Sequence, residues 1–340
     1  MAVPAEPLPR LRFARAAIGG VPVDGLVHAG TFVRLDALEV GGLTSFDGLL
    51  PDWRRNLRRL RRALGHLRAA PHDLAARHLD EEVAGGRLLA PVEPRQIFQV
   101  ALNYRDHAAE AGQPVPQSPF VFAGLPSAIC GPRDDVVLPR VGQHDWELEL
   151  GVVIGRRVRH VSRAQAADCI AGYTIVNDLT TRDRLRRPEP GRMDYLAAKN
   201  APTFLPVGPY VVPADEADLA AGLPMTLSVN GEVMQRGSTR DMVFDIPSLI
   251  AALSADVELL PGDLLLTGTP AGTGQARGRF LRPGDVMTAT IGELGEQRNR
   301  CVAEHRSSLA RSTRPVSAGS RQPDLSGRRA GNNPAAQGGT

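Results

Sequence analysis

The chain has 340 residues, 42 % hydrophobic and 23 % charged, with a formal net charge of +3. That is enough apolar content for one large domain with a smaller companion, and only 4 % aromatics means a core built mainly from Val, Leu, Ile and Ala. From Arg306 onward six Arg and one Asp give a net +5, which leaves the rest at −2. The basic charge therefore belongs to the tail, and the body offers no whole-domain electrostatic case for nucleic acid. The cysteines (Cys130, Cys169, Cys301) are odd in number, widely spaced and free of any CxxC pair, so no disulfide framework is expected. No run of about 18 apolar residues signals a membrane span, and MAVPAEPLPRLRF has no apolar stretch of the secretory kind. The expectation is a cytoplasmic protein with no membrane or nucleic-acid partner.

In chain order, Phe13 to Ala17, Leu26 to His28 and Thr31 to Leu35 read as short strands broken by Gly- and Asp-containing turns. Trp53, Leu57, Leu60, Leu64 and Leu67 repeat at helical spacing with Asp52 as a candidate N-cap. The other face of this helix carries Arg54, Arg55, Arg58, Arg59, Arg61 and Arg62 and reads as a solvated surface, since no aromatic residue interleaves. Pro91 and Pro94 mark a boundary near residue 92. Beyond it, strands are expected at Ile97 to Leu102, Trp146 to Ile154, Tyr173 to Asp178, Met225 to Val229 and Asp263 to Thr267. Val286 to Ile291 is expected to close the body. Helices are expected at Tyr104 to Ala111, at Ser162 to Ala171 with Ser162 and Gln165 spaced as a capping box, and at Asp245 to Leu253. Strands and helices do not alternate regularly, which predicts an α+β fold. The division expected is a small N-terminal domain (1–92), a catalytic domain (93–305) and a disordered tail (306–340) too poor in apolar residues to fold.

The chemistry concentrates in four places. In the strand carrying Glu147 and Glu149, period-2 alternation sets both carboxylates on one face while Leu148 and Leu150 point into a core. Two adjacent carboxylates repel unless a cation sits between them, and oxygen-only ligands favour Mg²⁺ or Mn²⁺, with Ca²⁺ a further option. Taken alone, such a pair is more simply an exposed edge strand. The apolar strand that ends at Asp178 changes this, because it can supply a third carboxylate. His107 and Glu110 are neighbours one helical turn apart, so the carboxylate can orient the imidazole as a general base. Lys199 is the only lysine in the chain, among 39 arginines, and a compact ammonium can approach an oxyanion where a planar guanidinium would not fit. The Gly-rich loop after Leu266 lacks the Lys-Ser/Thr pair of a phosphate loop. It is read as offering backbone N–H groups and the Thr269 hydroxyl to a substrate carboxylate.

Together, LNYRDHAAEAG, DWELELGVVIG, AGYTIVNDLTTRD, AAKNAPTFLPVGPYVV, SVNGEVMQRGSTRDMVF and PGDLLLTGTPAGTG resemble the fumarylacetoacetate hydrolase family, in the family's order and over roughly residues 96 to 302. The resemblance implies a β-rich mixed roll behind a small N-terminal α+β domain, and a homodimer. It implies Mg²⁺ or Mn²⁺ on Glu147, Glu149 and Asp178, catalytic roles for His107, Glu110 and Lys199, and substrate-binding roles for Arg182, Thr269 and Tyr104. The implied reaction is hydrolysis of a C–C bond in a 2,4-dioxo or acylpyruvate-like acid. Decarboxylation, hydration or keto–enol isomerisation on the same scaffold are alternatives, as is a non-catalytic binding or scaffolding member that uses the Arg-rich helix and tail as contacts. Three positions depart from the family pattern: Gly124 stands where members of the Phe-x-Lys type carry lysine, Leu185 where many carry glutamine, and Pro202 where a polar segment is usual.

Overall fold

A computed structural model describes residues 10–28, 31–68, 77–78, 87–187 and 193–305. The tail expected at 306–340 lies outside them, as does the side chain of Leu67.

The centre is a six-stranded mixed sheet. Its order is Val212–Pro213, Ile170–Asn177, Leu148–Ile154, Leu264–Leu266, Ile97–Ala101 and Phe120–Gly124. Neighbours run antiparallel except Leu264–Leu266 with Ile97–Ala101. A five-stranded sheet, ordered Glu232–Ser238, Pro224–Val229, Val286–Ile291, Glu296–Ala303 and Val136–Leu138, packs through Met225, Leu227, Met287 and Ile291 onto Trp146, Leu148, Leu150 and Val152. The N-terminal part forms a second five-stranded sheet around the hairpin Phe13–Ile18/Val21–His28 and the helix Trp53–Arg68. The architecture is thus the β-rich mixed α+β type expected. One apolar cluster runs from Leu11 and Trp53 through Val92 to Val176 and Leu266, so no gap in packing falls near residue 92. No described helix is long and apolar enough to cross a membrane.

Four expectations are corrected. The central acidic strand begins at Leu148, so Trp146 and Glu147 precede the ladder. The helix expected over Ser162 to Ala171 is a turn, Arg163–Ala166, continued as a 3-10 turn to Cys169. The strand Ile170–Asn177 takes over there, because its burial on both faces outweighs local helix preference. Glu296–Ala303, not Val286–Ile291, closes the body. Its inward residues include Gln297 and Asn299. These buried amides donate to the Gly208, Gly131 and Asp134 carbonyls, so polarity hides the alternation. Finally, the arginine face of the long helix is not simply solvated. Arg61 forks onto Asp215 at 2.8 and 2.9 Å and reaches Glu216 at 2.6 Å, while Arg54 pairs with Asp168. These contacts commit part of the basic face to fastening the N-terminal layer to the rest of the body.

Candidate active site

The central strand explains why two glutamates can be buried side by side. Even-numbered residues from Trp146 to Ile154 enter one core, and the opposite face carries Glu147 and Glu149 before Val153 joins the other core. This is an interior strand, paired on both edges, which removes the exposed-edge reading. Asp178 follows the partner strand directly, and its N–H donates to the Glu147 carbonyl at 2.8 Å. Asn177 Oδ1 accepts from the Glu147 N–H at 3.0 Å. The three carboxylates thereby converge: one ligand oxygen of each lies within 4.8 Å of the others, and all are at most 7 % exposed.

Two cations face these three anions. Lys199, at the end of the helix Tyr195–Lys199, donates to Glu147 Oε2 at 2.5 Å, Asp178 Oδ2 at 2.7 Å and the Asp178 carbonyl at 3.1 Å. Arg182 bridges Asp145 at 2.7 Å and Glu147 at 2.6 Å. The charge is unevenly met. Burial works to raise the Glu147 carboxyl, but Lys199 and Arg182 more than offset it and hold it at about 2. Burial, reinforced by Glu147, lifts Asp178 to about 6 despite Lys199. Burial and the two neighbouring acids push Glu149 well above the carboxylate range; Lys199 and a hydrogen bond at 2.7 Å from the Gly268 N–H oppose that shift without reversing it. Three buried oxygen donors with an excess negative charge centred on Glu149 fit one hard divalent cation.

The Gly-rich loop offers its N–H groups to carboxylates, but to the protein's own. Gly268 holds φ +89°, a conformation that favours glycine, and a Cβ there would lie 2.8 Å from Asn103 Cβ. Gly272, at φ +103°, donates to Glu110 Oε1 at 2.8 Å, and Ala271 donates to Asp106 at 3.2 Å. These two bonds latch the short helix Arg105–Glu110 across the site as a lid. On it, His107 Nδ1 lies 3.4 Å from Glu110 Oε2, which also accepts from Thr273 Oγ1 at 3.3 Å. Burial opposes ionisation of Glu110, while His107 and the Gly272 N–H outweigh it and lower its pKa. With Nδ1–H assigned toward Glu110, His107 keeps Nε2 as an acceptor.

Two of the expected substrate contacts are engaged elsewhere. Thr269 lines the cavity, but its hydroxyl donates to the Leu148 carbonyl and accepts from Gln235 Nε2, both at 2.8 Å, so it has no proton for a substrate carboxylate. Tyr104 is fully buried, and its hydroxyl reaches Met225 Sδ at 3.2 Å and meets the Thr267 side chain. It braces the lid's first turn through packing. Tyr104→Phe is therefore expected to cost about 1 kcal/mol, the net worth of one hydrogen bond, and to leave turnover unchanged. A large activity loss without a stability loss would return Tyr104 to the site.

Two further residues of the site are not among the candidates: Asp145, which opens the DWELELGVVIG segment, and Gln99, which lies outside the motifs. Asp145 is fully buried, orients Arg182, and accepts from the N–H groups of Gly274 at 2.6 Å and Gln275 at 2.9 Å. Its signal lies in the period-2 series that Asp145, Glu147 and Glu149 continue. Gln99 donates to Asp178 Oδ1 at 2.7 Å, and no charge pattern could have pointed to it. Gly124 lies beside it, and a Cβ there would come within 3.3 Å of the Gln99 amide and 3.0 Å of Ile97, a tight fit for any larger residue. Leu185 lines the cavity, whereas Pro202 is exposed and outside it.

Glu147, Glu149, Asp178, Arg182, Lys199, His107 and Glu110 all line one cavity of about 910 Å³. A β-roll that buries three carboxylates and an ammonium under a histidine-bearing lid defines an enzyme. Residues 96–302 match the fumarylacetoacetate (FAA) hydrolase C-terminal family. The chain is 43 % identical over 215 residues to the 2,4-didehydro-3-deoxy-L-rhamnonate hydrolase of Sphingomonas sp. (strain SKA58), covering 62 % of this chain and 74 % of that protein. Among solved structures, it is similar to maleylpyruvate hydrolase from Sphingobium sp. SYK-6, a complex with manganese(II) and pyruvate, at 32 % identity and TM-score 0.67. It is also similar to 5-carboxymethyl-2-hydroxymuconate delta-isomerase from Mycobacterium smegmatis, at 30 % identity and TM-score 0.66. Each structural match covers 86 % of this chain and 100 % of the other. The chain belongs to the fumarylacetoacetate hydrolase family and is an enzyme of it.

Proposed function

We propose that this enzyme hydrolyses a C–C bond in a 2,4-dioxo, acylpyruvate-like acid, with Mg²⁺ or Mn²⁺ held by Glu147, Glu149 and Asp178. The observation that carries this reading is the trio of converging buried carboxylates beneath a lid that presents a His–Glu pair to the same cavity. When bound, the ion supplies Lewis-acid stabilisation of negative charge on the 2-oxo-acid end. His107 takes a proton from water, whose oxygen bonds to the distal carbonyl carbon. Glu110, held by Gly272 and Thr273, keeps the imidazole oriented and stabilises its cationic form. The bond between the distal carbonyl and C3 breaks, its electron pair moves toward the 2-oxo acid, and C3 takes up a proton. The products are a carboxylic acid and a pyruvate-type acid. Lys199 offsets charge developing on oxygen, as a compact donor already held at the site's centre. The His107–Glu110 pair facing the cavity favours hydrolysis over isomerisation or decarboxylation, which need no activated water.

The test is a panel of acylpyruvates and oxaloacetate, with and without a chelator. Metal-dependent release of pyruvate from an acylpyruvate is the expected result; turnover that survives chelation would contradict the reading. The charge pattern adds a pH dependence. Asp178, lifted to about 6, and Glu149, lifted further than an ordinary carboxyl, must lose protons for a cation to bind. Apparent Mn²⁺ affinity is therefore expected to rise between pH 5 and 7, by up to about tenfold per pH unit for each proton released. An affinity flat across that range would contradict it.

We also place the enzyme in the cytoplasm as a homodimer. Free buried thiols at Cys130, Cys169 and Cys301 support a reducing compartment, and the homodimer rests on the family resemblance. A monomer by analytical ultracentrifugation would remove the second statement.

A further inference from the structure

We propose that the acyl group removed by this enzyme is flat and apolar, an aryl or conjugated alkenyl acyl group without a terminal charge, and that Phe122, Tyr195 and Leu185 select it. The proposal rests on the acylpyruvate reading above and concerns the far end of the same cavity. Three separate elements each carry one polar residue of the carboxylate centre and, one step along, an apolar residue that lines the cavity. On the helix Tyr195–Lys199, Lys199 holds two carboxylates, and Tyr195 lies one turn away on the same face. On the turn Arg182–Leu185, Arg182 pairs with Glu147 and Leu185 follows at three residues. In the sheet, Gln99 holds Asp178, and its cross-strand partner is Phe122.

The aromatic residues form a continuous surface, and Leu185 lines the same cavity. Phe122 and Tyr195 stack with centroids 4.0 Å apart at 25°, and Phe120 extends the group at 5.7 Å from Tyr195. Phe122, Tyr195 and Leu185 are each only partly buried, so their surfaces remain open to an occupant. An aromatic face of this kind favours a planar apolar group packed against it; the Tyr195 hydroxyl is the one polar atom that the aromatic pair adds. A cavity of about 910 Å³ is also far larger than a pyruvate fragment requires. The nearby cations do not argue for an anionic tail with equal force. Arg187 is paired with Asp194, and Arg182 with Asp145 and Glu147. Arg186 at the exposed rim is the contact a terminal carboxylate would use, and the test includes that case.

The experiment compares benzoylpyruvate, acetylpyruvate and fumarylpyruvate on the Mn²⁺-loaded full chain, by kcat/KM and by calorimetric affinity. Benzoylpyruvate is expected to exceed both others. Phe122→Ala is expected to reduce the benzoyl-to-acetyl ratio on the order of tenfold, the loss of one aromatic contact. Phe122→Leu keeps most of the volume but not the plane, and serves if the alanine variant does not fold. Preference for fumarylpyruvate, or a ratio that neither variant moves, would overturn the proposal. If none of the three is turned over, the hydrolytic reading fails first. The affinities then decide the aromatic surface separately: tighter benzoylpyruvate binding that weakens in the variants upholds it, and equal affinities overturn it.

Discussion

Glu149→Ala is expected to abolish Mn²⁺ binding and to lower turnover by about 10²-fold or more, while the protein remains folded. The retained fold is the less obvious half. Burial of a carboxylate is usually tolerated because a partner offsets it, and breaking such a pair is costly. Glu149 differs: Lys199 and Arg182 contact its neighbours, and its hydrogen bond comes from the Gly268 N–H. In the metal-free protein it is pressed by Asp178 and Glu147, which with burial raise its pKa above the ordinary 4.5. A carboxyl raised in the folded state favours folding while protonated and loses that contribution as pH climbs above its unfolded value. Removing the group relieves this cost at neutral pH, where the unfolded carboxyl is ionised. Against that stands the unpaired Gly268 N–H, about 1–3 kcal/mol, so the two effects oppose each other. Thermal unfolding with chelator present should give similar midpoints for the two proteins, and only the wild type should gain stability with Mn²⁺. Wild-type turnover in Glu149→Ala would sink the site assignment.

Lys199→Met is expected to do the opposite to stability. Its ammonium sits within 2.7 Å of both Glu147 and Asp178, and the loss leaves Arg182 alone against three acids. Removing one partner of a buried ion pair costs about 3–5 kcal/mol, and that is the destabilisation expected of the metal-free variant, with turnover down by about 10²-fold or more. Mn²⁺ should recover part of the stability, because a bound cation meets the exposed charge, but not the turnover. Lys199→Arg should not rescue activity, since a planar guanidinium cannot occupy the same point between two carboxylates. Denaturant unfolding with chelator and with Mn²⁺ checks this. A variant as stable as wild type without metal would mean the ammonium contributes little to holding the acids together.

The contrast between these variants shows what the sequence could and could not carry. Period-2 alternation fixes the face shared by Glu147 and Glu149, and an acid at a strand end marks Asp178, so the carboxylate trio is legible from the residues alone. The lone lysine is legible too, from an arginine-biased composition. What each group does in the site depends on partners distant in sequence. Gln99 reaches Asp178 across 79 positions, and Gly268 reaches Glu149 across 119. A neutral amide or a backbone N–H leaves no charge pattern to read. The same limit explains Tyr104 and Thr269, polar residues in the right motifs whose hydroxyls turn to Met225 and to the Leu148 carbonyl. In the fold, the apolar strands announce the mixed sheet, while inward amides hide Glu296–Ala303, and a capping pattern at Arg163–Ala166 promises a longer helix than the short turn that forms.

The central claim is that the three carboxylates exist to hold one divalent cation. Calorimetric titration of the full chain with Mn²⁺ at about pH 7.5, with oxalate added as a mimic of a pyruvate enolate, tests it directly. The expected result is one site per chain, tightened by oxalate and absent in Glu149→Ala. No binding by the wild-type chain, or binding that Glu149→Ala leaves intact, would contradict it.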